Sequence, residues 1–153
     1  MNHEKKELYT KKLSSGLDVS DPLIAETLNK VKTEVINWFL IGFKDASVLE
    51  VKCSGSGGAA EMLGNLKDSE ILFGVIKASI NGMIKFYQLS FIGKDVSPLK
   101  KGKSAMYKNA AMNAFEGCHG EITLDSDDLT IKSIVDTVMK LNRLNDSSTS
   151  III

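Results

Sequence analysis

The sequence predicts an α/β fold of the α+β kind, with helices packed on both faces of a central sheet. Runs dense in aromatic and β-branched residues, such as 36–43 and 84–92, alternate with stretches whose apolar residues recur at helical spacing, such as 22–33 and 98–116. Asn81-Gly82 stands between two apolar runs and is the strongest short hairpin signal in the chain, so the central strands are antiparallel neighbours. With 153 residues, 43% of them hydrophobic and 25% charged, the chain has the size of one domain. It can bury a core without disulfides or metal, and it is too apolar to be disordered throughout.

The elements follow in order. Residues 1–19 are expected to form a mobile arm, 20–142 the folded domain and 143–153 a flexible tail. Ser20 or Asp21 caps a first helix, with Pro22 in its first turn and Leu23, Ile24, Leu28 and Val31 along one face up to about Thr33. Ile36 to Phe43 and Val48 to Cys53 read as a hairpin across the polar turn Lys44-Asp45-Ala46. Ser54-Gly55-Ser56-Gly57-Gly58 breaks that pattern and leads into a short helix from Ala59 to Leu66. Ile71 to Ile76 and Ile84 to Ile92 are the strands of the second hairpin. The longest helix starts at Ser97-Pro98 and runs to about Glu116, with Gly117 as its stop. His119 to Leu124 is a short strand. Asp125, Ser126, Asp127 and Asp128 then cap a last helix from about Leu129 to Leu141.

Several kinds of chemistry are not expected. Nineteen Lys plus Arg balance nineteen Asp plus Glu, so no global field draws the chain onto nucleic acid or anionic lipid. No apolar run approaches the roughly 20 residues needed to cross a bilayer, and the charged start lacks the apolar core of a secretory signal. A cytoplasmic location is therefore expected. Cys53 and Cys118 have no CxxC spacing and read as reduced thiols. The 54–58 loop lacks the GK[ST] ending and the parallel βαβ context of a phosphate loop. Cys118 and His119 are adjacent on a strand and point to opposite faces, so they form no catalytic pair. His3 lies in the arm, which leaves no second histidine for a metal. The acids Asp125, Asp127 and Asp128 lack the Gly and bidentate Glu of a calcium loop. No catalytic residue, metal or cofactor is expected.

One feature invites a partner. Lys100, Lys101, Lys103 and Lys108 occupy an arc of about 160° on the longest helix, at about 100° per residue. Leu99, Met106 and Ala110 border that arc, while Ala111 and Phe115 fall within it further along, so the deeper turns are buried.

The run from Lys85 through Phe86-Tyr87-Gln88-Leu89-Ser90-Phe91-Ile92-Gly93-Lys94-Asp95-Val96-Ser97-Pro98 to Lys108 resembles the actin-depolymerising-factor homology (cofilin-like) domain. It is most similar to coactosin and to the domain that opens drebrin-like actin-binding proteins. Trp38, the turn at Gly55 to Gly58, and Gly117 to Glu121 sit where that family has counterparts. The resemblance implies a gelsolin-like central mixed sheet of five or six strands between pairs of helices. It also implies a non-enzymatic cytoskeletal protein whose partner is actin, filamentous rather than monomeric, bound by a monomer of this chain. The implied contacts are Lys100, Lys101, Lys103, Met106 and Lys108 on the long helix, and Lys85 on the hairpin. Clustered lysines would steer encounter with acidic actin while apolar neighbours such as Met106 supply the energy.

The sequence departs from the family pattern in places. The hairpin from Ala78 to Ile84 is shorter and less basic than is usual in coactosins, and Phe91 stands where the family mostly has Trp. Met1-Asn2-His3 lacks the phosphorylatable Ser of cofilins, and no SH3-like or proline-rich segment follows the domain. Gly102 weakens the helix by about 1 kcal/mol relative to Ala. The alternatives are a cofilin-like monomer-binding or severing factor and a glia-maturation-factor-like regulator of the branching complex. A lipid-surface adaptor would use the same lysines, for which phosphoinositides would compete. A small nucleotide-binding enzyme would use the 54–58 loop with Cys118 or His119.

Overall fold

The structure, a computed structural model, describes residues 16–145 and 148–153. In chain order its elements are α1 (Pro22–Lys32), β1 (Trp38–Phe43), β2 (Leu49–Gly55), α2 (Gly58–Leu63), β3 (Ile71–Ile80), β4 (Met83–Ile92), α3 (Pro98–Met112), β5 (Glu121–Leu124), α4 (Ile131–Leu141) and β6 (Ile151–Ile152). Among the described residues the strands form one six-stranded sheet in the order β2-β1-β3-β4-β5, with β6 paired to the far end of β3. All pairings are antiparallel except β4 with β5, which makes the sheet mixed as the resemblance implies.

The β3–β4 hairpin pairs from Ile71 with Ile92 to Ile80 with Met83 without a break. Asn81 and Gly82 make the two-residue turn at φ 51° and 84°, the left-handed pair whose twist matches the strands. The strands therefore run right up to the turn, and β3 extends four residues past the end expected at Ile76. Alternation then sorts the core into two layers. Leu72, Ile76, Tyr87, Leu89 and Phe91 face α2 and α4, where they meet Met62, Ile134 and Val138. Ile71, Phe73 and Val75 face α1 and α3, where they meet Leu28, Val31, Ala111 and Phe115. Helices on both faces are thus required by a strand pair that is apolar on both sides.

Caps fix where the helices begin. Asp21 accepts from the Leu23 N–H with Pro22 following, and Ser97 accepts from the Lys100 N–H with Pro98 following. Thr130, rather than the acids before it, caps α4 by accepting from the Ser133 N–H. Asp125 and Asp128 instead tie the preceding turn, accepting from Asp127 N–H and the Thr130 hydroxyl. The long helix ends at Met112, earlier than Glu116, because residues 113–115 tighten into turns.

Both ends of the expected domain differ from the sequence reading where they are described. Residues 1–15 lie outside the described residues, but Leu17 is fully buried in the α1–α3 layer and Asp18 bridges to Val48. Beyond Asn142, the stretch read as a flexible tail contributes β6. Ile151 and Ile153 pack against the α2–α4 layer, and Ser150 and Asn81 exchange two hydrogen bonds of 2.8 Å. Burial of alternate isoleucines is what holds this short strand.

Gly55 and Gly93 show how closely the backbone is packed. The buried Trp38 indole donates to Glu61 Oε1 at 2.8 Å, and a Cβ on Gly55 would sit 1.7 Å from that oxygen. A Cβ on Gly93 would lie 2.0 Å from the Asp68 carbonyl oxygen, and this contact fixes the turn that leads into α3. Since backbone cannot yield as a flexible side chain can, Gly93→Ala is expected to lose about 1–3 kcal/mol of unfolding free energy or more. Urea denaturation measures this, and an unchanged midpoint would contradict the packing described.

Candidate functional site

The first turns of α3 stand clear of the core. Every residue from Pro98 to Lys103 is exposed, whereas Ser104, Ala111, Met112 and Phe115 are buried. The far end is anchored: Gln88 Nε2 donates to the carbonyls of Met112 and Phe115 at 2.9 and 3.2 Å, and the Phe115 ring meets Phe39 edge-on at 5.6 Å. The near end is anchored only through the turn before it, where Val96 is buried and Asp95 N–H donates to the Asp68 carbonyl. Between these anchors the helix presents a ridge to solvent.

That ridge is apolar along its crest. Ser104, Ala111 and Phe115 define the buried stripe at i, i+7 and i+11. Leu99, Gly102 and Met106 recur at i, i+3 and i+7 on the opposite side. Leu99 is 71% exposed and Met106 65%, so two large apolar side chains stand in solvent about two turns apart on the same helix face. Lys103 borders this crest, while Lys100 and Lys101 lie at azimuths closer to the buried stripe. The lysine arc read from the sequence is therefore the side that turns toward the core further along. Lys100, Lys101 and Lys103 stay in solvent because the helix start projects.

Lys108 and Lys85 are placed differently. Lys108 is half-buried and its ammonium lies 2.6 Å from Glu121 Oε1 on β5, an oxygen that also accepts from the Ser90 hydroxyl. It ties α3 to the sheet. Lys85 points to the face lined by α2 and α4, opposite α3, because it pairs with Ala78 in the β3–β4 register. Its ammonium donates to Asn142 Oδ1 at 2.6 Å, and Asn142 Nδ2 donates in turn to the buried Tyr87 hydroxyl at 2.8 Å. The structure thus leaves Leu99, Lys100, Lys101, Lys103 and Met106 exposed on the projecting part of α3, at different azimuths, and sets Lys85 on the other face of the sheet. Leu99 was legible as a border residue but not as crest, because the direction of the core is fixed by Ser104 and Phe115 only once the helix is docked.

The other sequence features resolve into structure. In the 54–58 loop, Gly57 N–H donates to Glu61 and Gly58 N–H to Asn37, so the two amides that lead into α2 are already engaged. His119 Nδ1 accepts from the Phe86 N–H at 3.1 Å, while Cys118 packs beside the α1–α3 layer. Burial pushes the Cys118 thiol up to about 11, and Lys32 only partly opposes this. Burial likewise raises the Cys53 thiol. Among the described residues no three His, Cys, Asp or Glu side chains gather as a metal site, and no helix is long and apolar enough to cross a membrane.

The sequence profile of cofilin/tropomyosin-type actin-binding proteins matches residues 16–139. The chain belongs to this family. It is 29% identical over 131 residues to a drebrin-like protein of Dictyostelium discoideum, a match covering 82% of this chain and 27% of that protein. The chain therefore spans about a quarter of this relative's length. The fold is that of coactosin from Entamoeba histolytica, with a TM-score of 0.71 at 24% identity over 84% of this chain and 98% of that one. Mouse coactosin, an actin filament binding protein, superposes with a TM-score of 0.64 at 20% identity over 77% of this chain and 87% of that one. The family is one of actin-binding proteins rather than of enzymes.

Two measurements check this geometry. A double-mutant cycle on Lys108→Ala and Glu121→Ala is expected to return a coupling of up to about 1 kcal/mol, the range of partly exposed pairs. Zero coupling would remove the pair as a tie. Alkylation of Cys118 by iodoacetamide at pH 8 is expected to run well below the rate of free cysteine and to rise toward pH 11, since only the thiolate reacts. A rate equal to free cysteine at pH 8 would show the thiol to be unburied.

Proposed function

We propose that this domain binds the sides of actin filaments through the projecting start of α3 and modulates filament dynamics without catalysis. The observation that carries the reading is the exposed, projecting start of α3, which carries a crest of Leu99 and Met106 bordered by Lys103, with Lys100 and Lys101 also in solvent further around the helix. An apolar centre with a charged rim is the anatomy of a protein docking surface: the apolar residues supply affinity and the rim supplies steering and register. An acidic actin surface suits that rim. Membership of an actin-binding family and the likeness to an actin filament binding protein support actin as the partner.

The position of Lys85 favours filament over monomer. It stands on the face of the sheet opposite α3, so one actin subunit docked on the crest leaves it turned away. A filament offers a neighbouring subunit to meet it. Lys108, engaged by Glu121, acts as a structural residue and stays outside the contact. The domain acts as a single copy at the cytoskeleton, and anionic phosphoinositide headgroups compete for the same exposed lysines.

Cosedimentation with filamentous actin tests the reading. Leu99→Asp with Met106→Asp is expected to weaken pelleting by about tenfold or more while leaving the melting temperature unchanged, since both side chains lie in solvent. Lys100→Glu, Lys101→Glu and Lys103→Glu together are expected to weaken it and to reduce its salt dependence. Parental pelleting by both variants would take α3 out of the interface.

A further inference from the structure

We propose that the cleft between α3 and the β1–β2 hairpin binds a small phosphorylated ligand carrying a flat ring, of the nucleoside phosphate class. The cleft measures about 720 Å³, within the range of about 300–1,000 Å³ in which small-molecule sites fall. Its apolar lining comes from Ile71 and Val96 on the α3 side of the sheet and from Leu72 where the cleft wraps the start of β3. Phe43, the last residue of β1, and Tyr107 of α3 stand together on its wall with ring centroids 5.8 Å apart and planes at 54°. Both are half-buried, so their rings are held in place before a planar ligand arrives.

The rim is basic, and its charges come from separate elements. Lys52 reaches it from β2, Lys67 from the loop after α2, and Lys100 and Lys103 from α3. Two carboxylates, Asp45 and Glu70, stand against these four ammonium groups. Lys52 is paired with Glu50 at 3.1 Å and Lys67 reaches Glu70 only at 3.9 Å. Lys100 and Lys103 pair with no carboxylate among the described residues. Excess ammonium charge beside an apolar lining suits phosphate groups attached to an apolar body. Asp45, Glu70 and Asn65 offer acceptors for the amino edge of a base.

The site is distinct from the 54–58 loop, none of whose residues line the cleft and whose Gly57 and Gly58 amides are engaged internally. It does not rest on the actin reading, although Lys100 and Lys103 belong to both surfaces. Calorimetric titration of the full chain without actin, using ATP, tripolyphosphate, inositol trisphosphate and adenosine separately, tests it. ATP is expected to bind saturably and about tenfold or more tighter than each of the other three, because only ATP offers both ring and phosphates. Lys52→Ala with Lys67→Ala, both exposed residues, and Tyr107→Ala are each expected to weaken ATP by about tenfold or more. Melting curves identify any variant that is merely misfolded, and amide shifts of the parent chain at Phe43, Leu72 and Tyr107 locate the ligand independently. The proposal is overturned by absence of saturable ATP binding, by tripolyphosphate or inositol trisphosphate binding as tightly as ATP, or by shifts that avoid these three residues.

Discussion

The unbroken register of β3 against β4 is the constraint from which the rest follows. Ten residue pairs closed by Asn81 and Gly82 decide which side of the sheet each residue faces, and a slip of one would invert them all. With this register, Leu72, Ile76, Tyr87 and Leu89 demand cover from α2 and α4, and Phe73 and Val75 demand it from α1 and α3. Gln88 faces α3 and holds its end, while Lys85 faces α4 and meets Asn142. The placement of the two lysine groups on opposite faces is therefore a consequence of strand alternation.

The proposed contact surface arises where this core stops. From Ser104 onward α3 buries one stripe, through Ala111 and on to Phe115, while Leu99 and Met106 stay exposed on its other side, because the turn at Gly93 and Asp68 launches the helix start beyond the sheet. A helix docked along its whole length would have to bury one stripe throughout. Here the stripe is buried only at its far end, so Lys100 and Lys101 remain in solvent beside it. Gly102 in the crest, with nothing within 4 Å of its would-be Cβ, leaves room for a partner backbone to come close. The same projection opens the cleft against Phe43 and Lys52 on the helix's flank.

Much of the fold was legible because it is written in short-range signals. Pro22 and Pro98 behind capping residues, the Asn81-Gly82 turn and the dense apolar strands each name their element locally. The resemblance added the mixed sheet, which periodicity alone could not give, since parallel pairing of β4 with β5 is set by the crossover through α3. The misread parts depend on distant contacts. Ile151 and Ile153 find a slot beside β3, and Leu17 inserts under α1. Of the residues singled out, Lys100, Lys101, Lys103 and Met106 are exposed on the first turns of α3. The ion pair of Lys108 was not legible, because its partner Glu121 lies on another element. Lys52 and Lys67 carry no sequence signal linking them to α3, and only folding brings them to one rim.

Amide hydrogen exchange, measured on the domain alone and on filaments at saturation, addresses the central claim most directly. The start of α3 is weakly held in the free domain, with an exposed first turn and Gly102 inside it, so its amides exchange early. Docking through the crest requires strong slowing across residues 101–107, with the buried strands unchanged. Slowing confined to other surfaces, with residues 101–107 exchanging as in the free domain, would contradict it.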